Sequence, residues 1–129
     1  MRFEHFALNV PDSRAMAQWY VDHLGFILVR SQEVAPHTRF LADETGRVIV
    51  EFYTNPAATI PSYTALHPLT FHFAVWSGDV RSDQVRLEKA GATLFQAEVM
   101  PNGSQLTMLR DPWGLPLQLC QRTNPFPRE

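Results

Sequence analysis

At 129 residues, with 45% hydrophobic and 19% charged side chains, the chain has the size and makeup of one globular domain and not of a disordered or fibrous polypeptide. A formal charge of −2 and a pI near 6.2 give no electrostatic basis for binding nucleic acid or an anionic membrane. The single cysteine, Cys120, excludes an internal disulfide framework and a multi-cysteine zinc site, and it fits a reducing compartment. No apolar run reaches membrane-span length, and Glu4 and His5 stand where a signal peptide needs an apolar run, so the expected location is cytoplasmic.

Residues 3–10 alternate, with Phe6, Leu8 and Val10 pointing one way and His5, Ala7 and Asn9 the other, as in a half-buried strand. Asp12 or Ser13 then caps a helix expected over Ser13 to Leu24, with Met16, Trp19, Tyr20 and Leu24 at helical spacing and Gly25 as its stop. Strands are expected near 26–31 and 37–42, and, after the turn Asp43-Glu44-Thr45-Gly46, over 47–53. Residues 54–68 hold three prolines and no period, which reads as the linker between a module of about 1–54 and a second of about 69–122.

The order then restarts, with a strand at 69–76, a helix from about Asp79 to Ala90 closed by Gly91, and strands near 93–97, 104–110 and 115–121. A short tail follows. The restart is visible in a phrase said twice: His5-Phe6-Ala7-Leu8 ending at Asp12, and His72-Phe73-Ala74-Val75 ending at Asp79. Both the histidines and the aspartates lie 67 positions apart. Strand, helix and three strands, twice over, predict an α+β fold of two tandem βαβββ modules, whose mixed sheets curl around a cup.

Parity then selects four polar positions. Val48, Val50 and Phe52, like Leu115, Leu117 and Leu119, form helix-side sets, which puts Glu51 and Gln118, again 67 apart, on the opposite face with His5 and His72. Two imidazoles, a carboxylate and an amide oxygen suit a divalent metal. Taken singly, each has a plainer reading: a strand histidine can be a hydrogen-bonded structural group, and Glu51 or Gln118 can simply face water. The fourfold match of face and spacing favours the metal site. Tyr53 and Trp76 share that face and are candidates to line a substrate pocket. The remaining conspicuous residues read as structural: Trp19 and Tyr20 as core, His23 as a partner of the helix dipole, His37 and His67 as solvated, and Cys120 as an inert buried thiol.

The motifs His-Phe-Ala-Leu-Asn-Val-Pro-Asp at 5–12, Trp-Tyr-Val-Asp-His-Leu-Gly-Phe at 19–26, His72 to Asp79, and Asp-Pro-Trp-Gly-Leu-Pro-Leu-Gln-Leu at 111–119 resemble the vicinal oxygen chelate superfamily. That superfamily includes glyoxalase I, fosfomycin- and bleomycin-resistance proteins, extradiol dioxygenases and methylmalonyl-CoA epimerase, and the resemblance runs from His5 to Gln121. It implies paired βαβββ modules and one divalent ion (Ni, Zn, Fe or Mn) held by His5, Glu51, His72 and Gln118.

The departure is Gln118, where active members usually carry a glutamate that also moves the substrate proton. An amide has no basic pair to offer, so Glu51 is left as the catalytic carboxylate. With Glu51 as the one anionic ligand, a divalent site keeps a net charge of +1, which favours an anionic ligand or an enediolate-like intermediate. The expected function is a metal-dependent lyase or isomerase of the glyoxalase I type, acting on a small oxygenated metabolite. Two alternatives stand beside it: a metal-free, ligand-sequestering protein of the bleomycin-resistance kind, and a non-haem iron dioxygenase built on His5, His72 and Glu51. A homodimer is expected, because paired modules leave sheet edges.

Overall fold

In the computed structural model, which describes residues 1–127, the chain forms two compact units that divide between Pro61 and Ser62. The first contains β1 (Phe6–Asn9), α1 (Ser13–Leu24), β2 (Ile27–Ser31), β3 (Arg39–Ala42) and β4 (Val48–Tyr53). The second contains a 3₁₀ turn (Tyr63–Ala65), β5 (Phe73–Trp76), α2 (Val80–Lys89), β6 (Thr93–Val99), β7 (Gln105–Arg110) and β8 (Pro116–Gln121). This is the α+β fold of two tandem βαβββ modules.

Each module is one four-stranded mixed sheet, ordered β1-β4-β3-β2 in the first and β5-β8-β7-β6 in the second. The first strand runs parallel to the last, and the other pairings are antiparallel. The 67-residue repeat survives at the level of individual rungs: Phe6 pairs with Val50 and Phe73 with Leu117, while Ala7 pairs with Glu51 and Ala74 with Gln118.

The helix starts repeat the same way. Asp12 accepts the Ala15 N–H at 3.0 Å, and Asp79 accepts that of Ser82 at 3.0 Å. The first helical N–H is taken by the residue that follows the core of the last strand, Ser13 by the Thr54 hydroxyl at 2.9 Å and Val80 by the Gln121 side-chain oxygen at 3.0 Å. Each helix thus has two of its orphan donors satisfied by side chains 67 positions apart. Gly25, at φ +71°, ends α1 in the left-handed conformation that favours glycine.

The helix-side faces form the cores. Leu41, Val50 and Phe52 are fully buried with Met16 and Tyr20 of α1, and the Tyr20 and Phe52 rings lie 5.5 Å apart. In the second module Leu109, Leu117 and Leu119 play the same part, with Val80 and Leu87 of α2 buried.

Three expectations need correction. The first strand of each module is shorter than its alternation suggests: His5 and His72 each stand one residue before the ladder begins. Alternation persists beyond the hydrogen-bonded rungs, and in the second module the chain just before His72 is turning, with the Thr70 N–H on the His67 carbonyl at 2.8 Å. The linker is not featureless, since Tyr63 and Pro68 are buried and Arg110 binds the Tyr63 and Leu66 carbonyls at 2.9 and 2.8 Å. Gly114, at φ +88°, is required there, because a Cβ would lie 2.7 Å from the Thr64 backbone nitrogen. His37, expected in solvent, has φ +56° and a buried Nδ1 without a hydrogen-bond partner, while its carbonyl accepts the Ser13 hydroxyl at 2.7 Å.

Candidate metal and ligand site

On the face away from α1, a row of side chains runs across the first sheet. Strand register aligns Ala7, Glu51, Phe40 and Arg30, and residues directly opposite one another share a face. His5, two residues before Ala7, has the same parity and reaches Glu51: its Nε2 lies 3.1 Å from Oε2, with the two side chains 28% and 17% exposed. The other ring nitrogen, Nδ1, contacts the Glu4 carboxylate. The Phe40 ring meets the imidazole edge-on, with centroids 5.3 Å apart.

This arrangement bears directly on metal fit. An imidazole that donates Nδ1–H to Glu4 turns its Nε2 lone pair toward a carboxylate oxygen, and two acceptors then face each other. Either a second proton on the ring or a cation shared by Nε2 and Oε2 resolves that contact. A histidine oriented by a carboxylate on its far nitrogen is a recurrent form of metal ligand. The residues present therefore fit a divalent ion at His5 and Glu51.

The second sheet aligns Ala74, Gln118, Met108 and Gln96 in the equivalent row. His72 has the parity of Gln118, and its Nδ1 is 2.8 Å from the Pro68 carbonyl. Because a carbonyl can only accept, Nδ1 carries the hydrogen and Nε2 keeps the lone pair in the neutral ring. The Gln118 side-chain oxygen accepts a weak bond from the Cys120 thiol at 3.4 Å. Burial pushes that thiol up from its ordinary value, with the Arg122 guanidinium opposing the shift, which keeps it protonated and of low nucleophilicity. Among the described residues, no group of three or more His, Cys, Asp and Glu side chains gathers as metal ligands do.

Tyr53 ends β4 half-buried, opposite Asn9, and Trp76 ends β5 opposite Cys120 with 54% of its surface exposed. The indole lies against Gly78, where a Cβ would come within 3.2 Å of it. His23 sits 5.4 Å from Trp19, and the exposed His67 ring meets Phe95 edge-on at 5.6 Å.

Sequence reasoning passed over Phe40, Glu4 and Asn9. The Asn9 amide donates to the Asn55 and Ala58 carbonyls at 2.8 and 3.1 Å and accepts the Asn55 N–H at 2.8 Å. A polar residue on the outward parity next to a Pro-Asp helix start was the available signal for Asn9. For Glu4, its adjacency to His5 was the signal.

The family model of the Glyoxalase/Bleomycin resistance protein/Dioxygenase superfamily matches residues 2–119. Among curated proteins none matches. Solved structures share the fold. The antibiotic binding protein TnmS3 from Streptomyces sp. CB03234 is 20% identical, with a TM-score of 0.72 over 95% of this chain and 97% of that one. A glyoxalase I mutant from Zea mays is 23% identical, with a TM-score of 0.71 over 95% of this chain and 46% of that one. Lactoylglutathione lyase from Agrobacterium tumefaciens is 20% identical, with a TM-score of 0.65 over 92% of each chain.

Proposed function

The chain belongs to the Glyoxalase/Bleomycin resistance protein/Dioxygenase superfamily, and from that membership we propose that it is a metal-dependent enzyme performing lyase or isomerase chemistry on a small oxygenated metabolite. One divalent ion would be held by His5 and Glu51 of the first module together with His72 and Gln118 of the second. The observation that carries this reading is the His5 Nε2 to Glu51 Oε2 approach at 3.1 Å, on a ring whose Nδ1 already meets Glu4. The equivalence of the rungs at Glu51 and Gln118 supports the other pair.

When bound, the ion supplies Lewis-acid polarisation of adjacent substrate oxygens. The chain's own residues do the rest. Glu51 accepts a proton from a substrate carbon next to a carbonyl and returns it to the neighbouring atom, a role for which Gln118 has no basic pair. Phe40 covers one side of the imidazole with an apolar edge and limits its rotation. Glu4 and the Pro68 carbonyl hold the hydrogens on the Nδ1 atoms of His5 and His72, so that each Nε2 is presented as the ligating atom. Tyr53 and Trp76 border the substrate.

Metal analysis of protein purified without an affinity tag tests the proposal. The expected outcome is a stoichiometric divalent ion that is lost from both His5→Ala and His72→Ala variants with unchanged circular dichroism. A folded native protein that takes up no nickel, zinc, iron or manganese would overturn it.

A second reading is a metal-free protein that sequesters a ligand. It is favoured by the exposed indole of Trp76. It is also consistent with the likeness to TnmS3. We also propose a homodimer. β2 and β6 lie at the ends of their sheets and carry the exposed apolar side chains Ile27, Leu28, Val29, Leu94, Phe95 and Val99, the kind of edge that a second copy covers.

A further inference from the structure

The first module carries a cation, Arg30, on the same face as the proposed ligands. A bulge in β2 between Leu28 and Arg30 shifts the pairing by one residue. Leu28 sits opposite Leu41 on the helix side, and Arg30 sits opposite Phe40 on the other face. Without that extra residue, the alternation of β2 would carry Arg30 to the face of Leu28. Because Phe40 in turn pairs with Glu51, the row reads Glu51, Phe40, Arg30 across three adjacent strands. Two strand spacings, roughly 10 Å, separate the backbone positions of Glu51 and Arg30.

Between them lies the half-buried ring of Phe40, already in edge contact with His5. The neighbouring cation of β3 is committed elsewhere: the buried Arg39 binds the Gln32 and Thr38 carbonyls at 2.6 and 3.1 Å and Glu33 at 3.2 Å, and it pairs with Phe52 on the helix side. The second module has the neutral Gln96 at the equivalent of Arg30, paired with Met108 after the same kind of bulge. At this rung, then, the cation belongs to the half that carries Glu51.

Resting on the metal-site reading above, we infer that Arg30 is the substrate's second anchor. The site takes a small molecule that chelates through adjacent oxygens at His5 and Glu51, lays a short apolar link over Phe40, and ends in a carboxylate held by the Arg30 guanidinium. The planar guanidinium donates two parallel N–H bonds to a carboxylate, which a neutral end group cannot match. Arg30 determines specificity and moves no proton.

The test uses two metal-chelating probes that differ only at the far end, butyrohydroxamate and succinohydroxamate, titrated by calorimetry into the full-length protein loaded with nickel(II). The wild type is expected to bind the carboxylate-bearing probe about tenfold more tightly, the effect of one charge-assisted hydrogen-bonded pair. In Arg30→Met the two probes converge while the affinity for butyrohydroxamate and the melting temperature stay at wild-type values. Arg30→Lys keeps part of the preference, since a point charge attracts the carboxylate without the paired geometry. Equal binding of both probes by the wild type, or a preference that survives in Arg30→Met, would overturn the inference and leave the metal site standing. Failure to bind nickel or either probe would instead overturn the metal-site reading, and this inference with it.

Discussion

The two modules share a frame and differ in what they place on it. Rung for rung, β1 with β4 repeats as β5 with β8, and the capping aspartates Asp12 and Asp79 do the same work. On the face away from the helix, however, the first module presents Glu51, Phe40 and Arg30 where the second presents Gln118, Met108 and Gln96. The repeat conserves what folds the chain, namely caps, ladder and helix-side core. Along this row, charge is kept in one half only. The row is thus charged in one sheet and neutral in the other, and the difference is invisible to the cores on the other side.

The comparison can be broken at its strongest point, the cores. Phe52→Ala removes a fully buried ring in contact with Tyr20 and should cost about 3–5 kcal/mol, and Leu119→Ala about 2–5 kcal/mol. Urea unfolding followed by circular dichroism measures both. If the modules fold as separate cooperative units, each substitution moves its own transition and leaves the other in place. Coincident shifts would show one cooperative unit.

Next comes the exchange of the unlike residues proposed as ligands. Glu51→Gln makes the first module resemble the second and should weaken zinc or nickel affinity by at least the roughly 10–100-fold typical of losing a group that supports a metal site. Gln118→Glu should tighten it, since a second carboxylate neutralises the remaining positive charge. Competition with a chromogenic chelator reads both, and an unchanged affinity in both would remove Glu51 and Gln118 from the metal's surroundings.

Asn9 and Trp76 occupy equivalent rungs with opposite duties. Asn9→Ala leaves two carbonyls and one N–H of the chain after β4 without their partner and should cost about 1–3 kcal/mol. Trp76→Ala removes an exposed ring and should fall within about 0.5 kcal/mol. Thermal unfolding of the two variants gives the contrast. The smallest effect is a likeness: Asp12→Ala and Asp79→Ala should each cost about 1 kcal/mol, equal within error in the same unfolding experiment.

Most of the frame was legible in the sequence because it rests on period and spacing. The 67-residue offset located both aspartate caps and put Glu51 and Gln118 on matching rungs before any register was known. The row beyond β4 was not legible. Phe40 and Arg30 depend on how β3 and β2 slide against β4, and that register passes through the bulge at Val29, which alternation alone cannot reveal. Asn9 was missed for a related reason. It reads as one more outward polar residue, and its partners are backbone carbonyls in a stretch without period. The approach of His5 to Glu51 was visible only as a shared parity. That Nδ1 meets Glu4, which turns the pair into a cation-seeking contact, is a matter of side-chain direction.

The anchoring of the segment between the modules sets a tether length. Asn9 fixes the chain as far as Ala58, and Arg110 takes hold again at the Tyr63 carbonyl. Only Thr59, Ile60, Pro61 and Ser62 lie between those two attachments. From the Ala58 carbonyl to the Tyr63 carbonyl the chain takes five residue steps and extends to at most about 18 Å, and one of the four residues between is a proline with a fixed φ. Inserting glycines between Thr59 and Ser62 would lengthen this tether while leaving both attachments intact. Cutting within it would divide the chain at the one stretch where neither module loses a hydrogen bond described above.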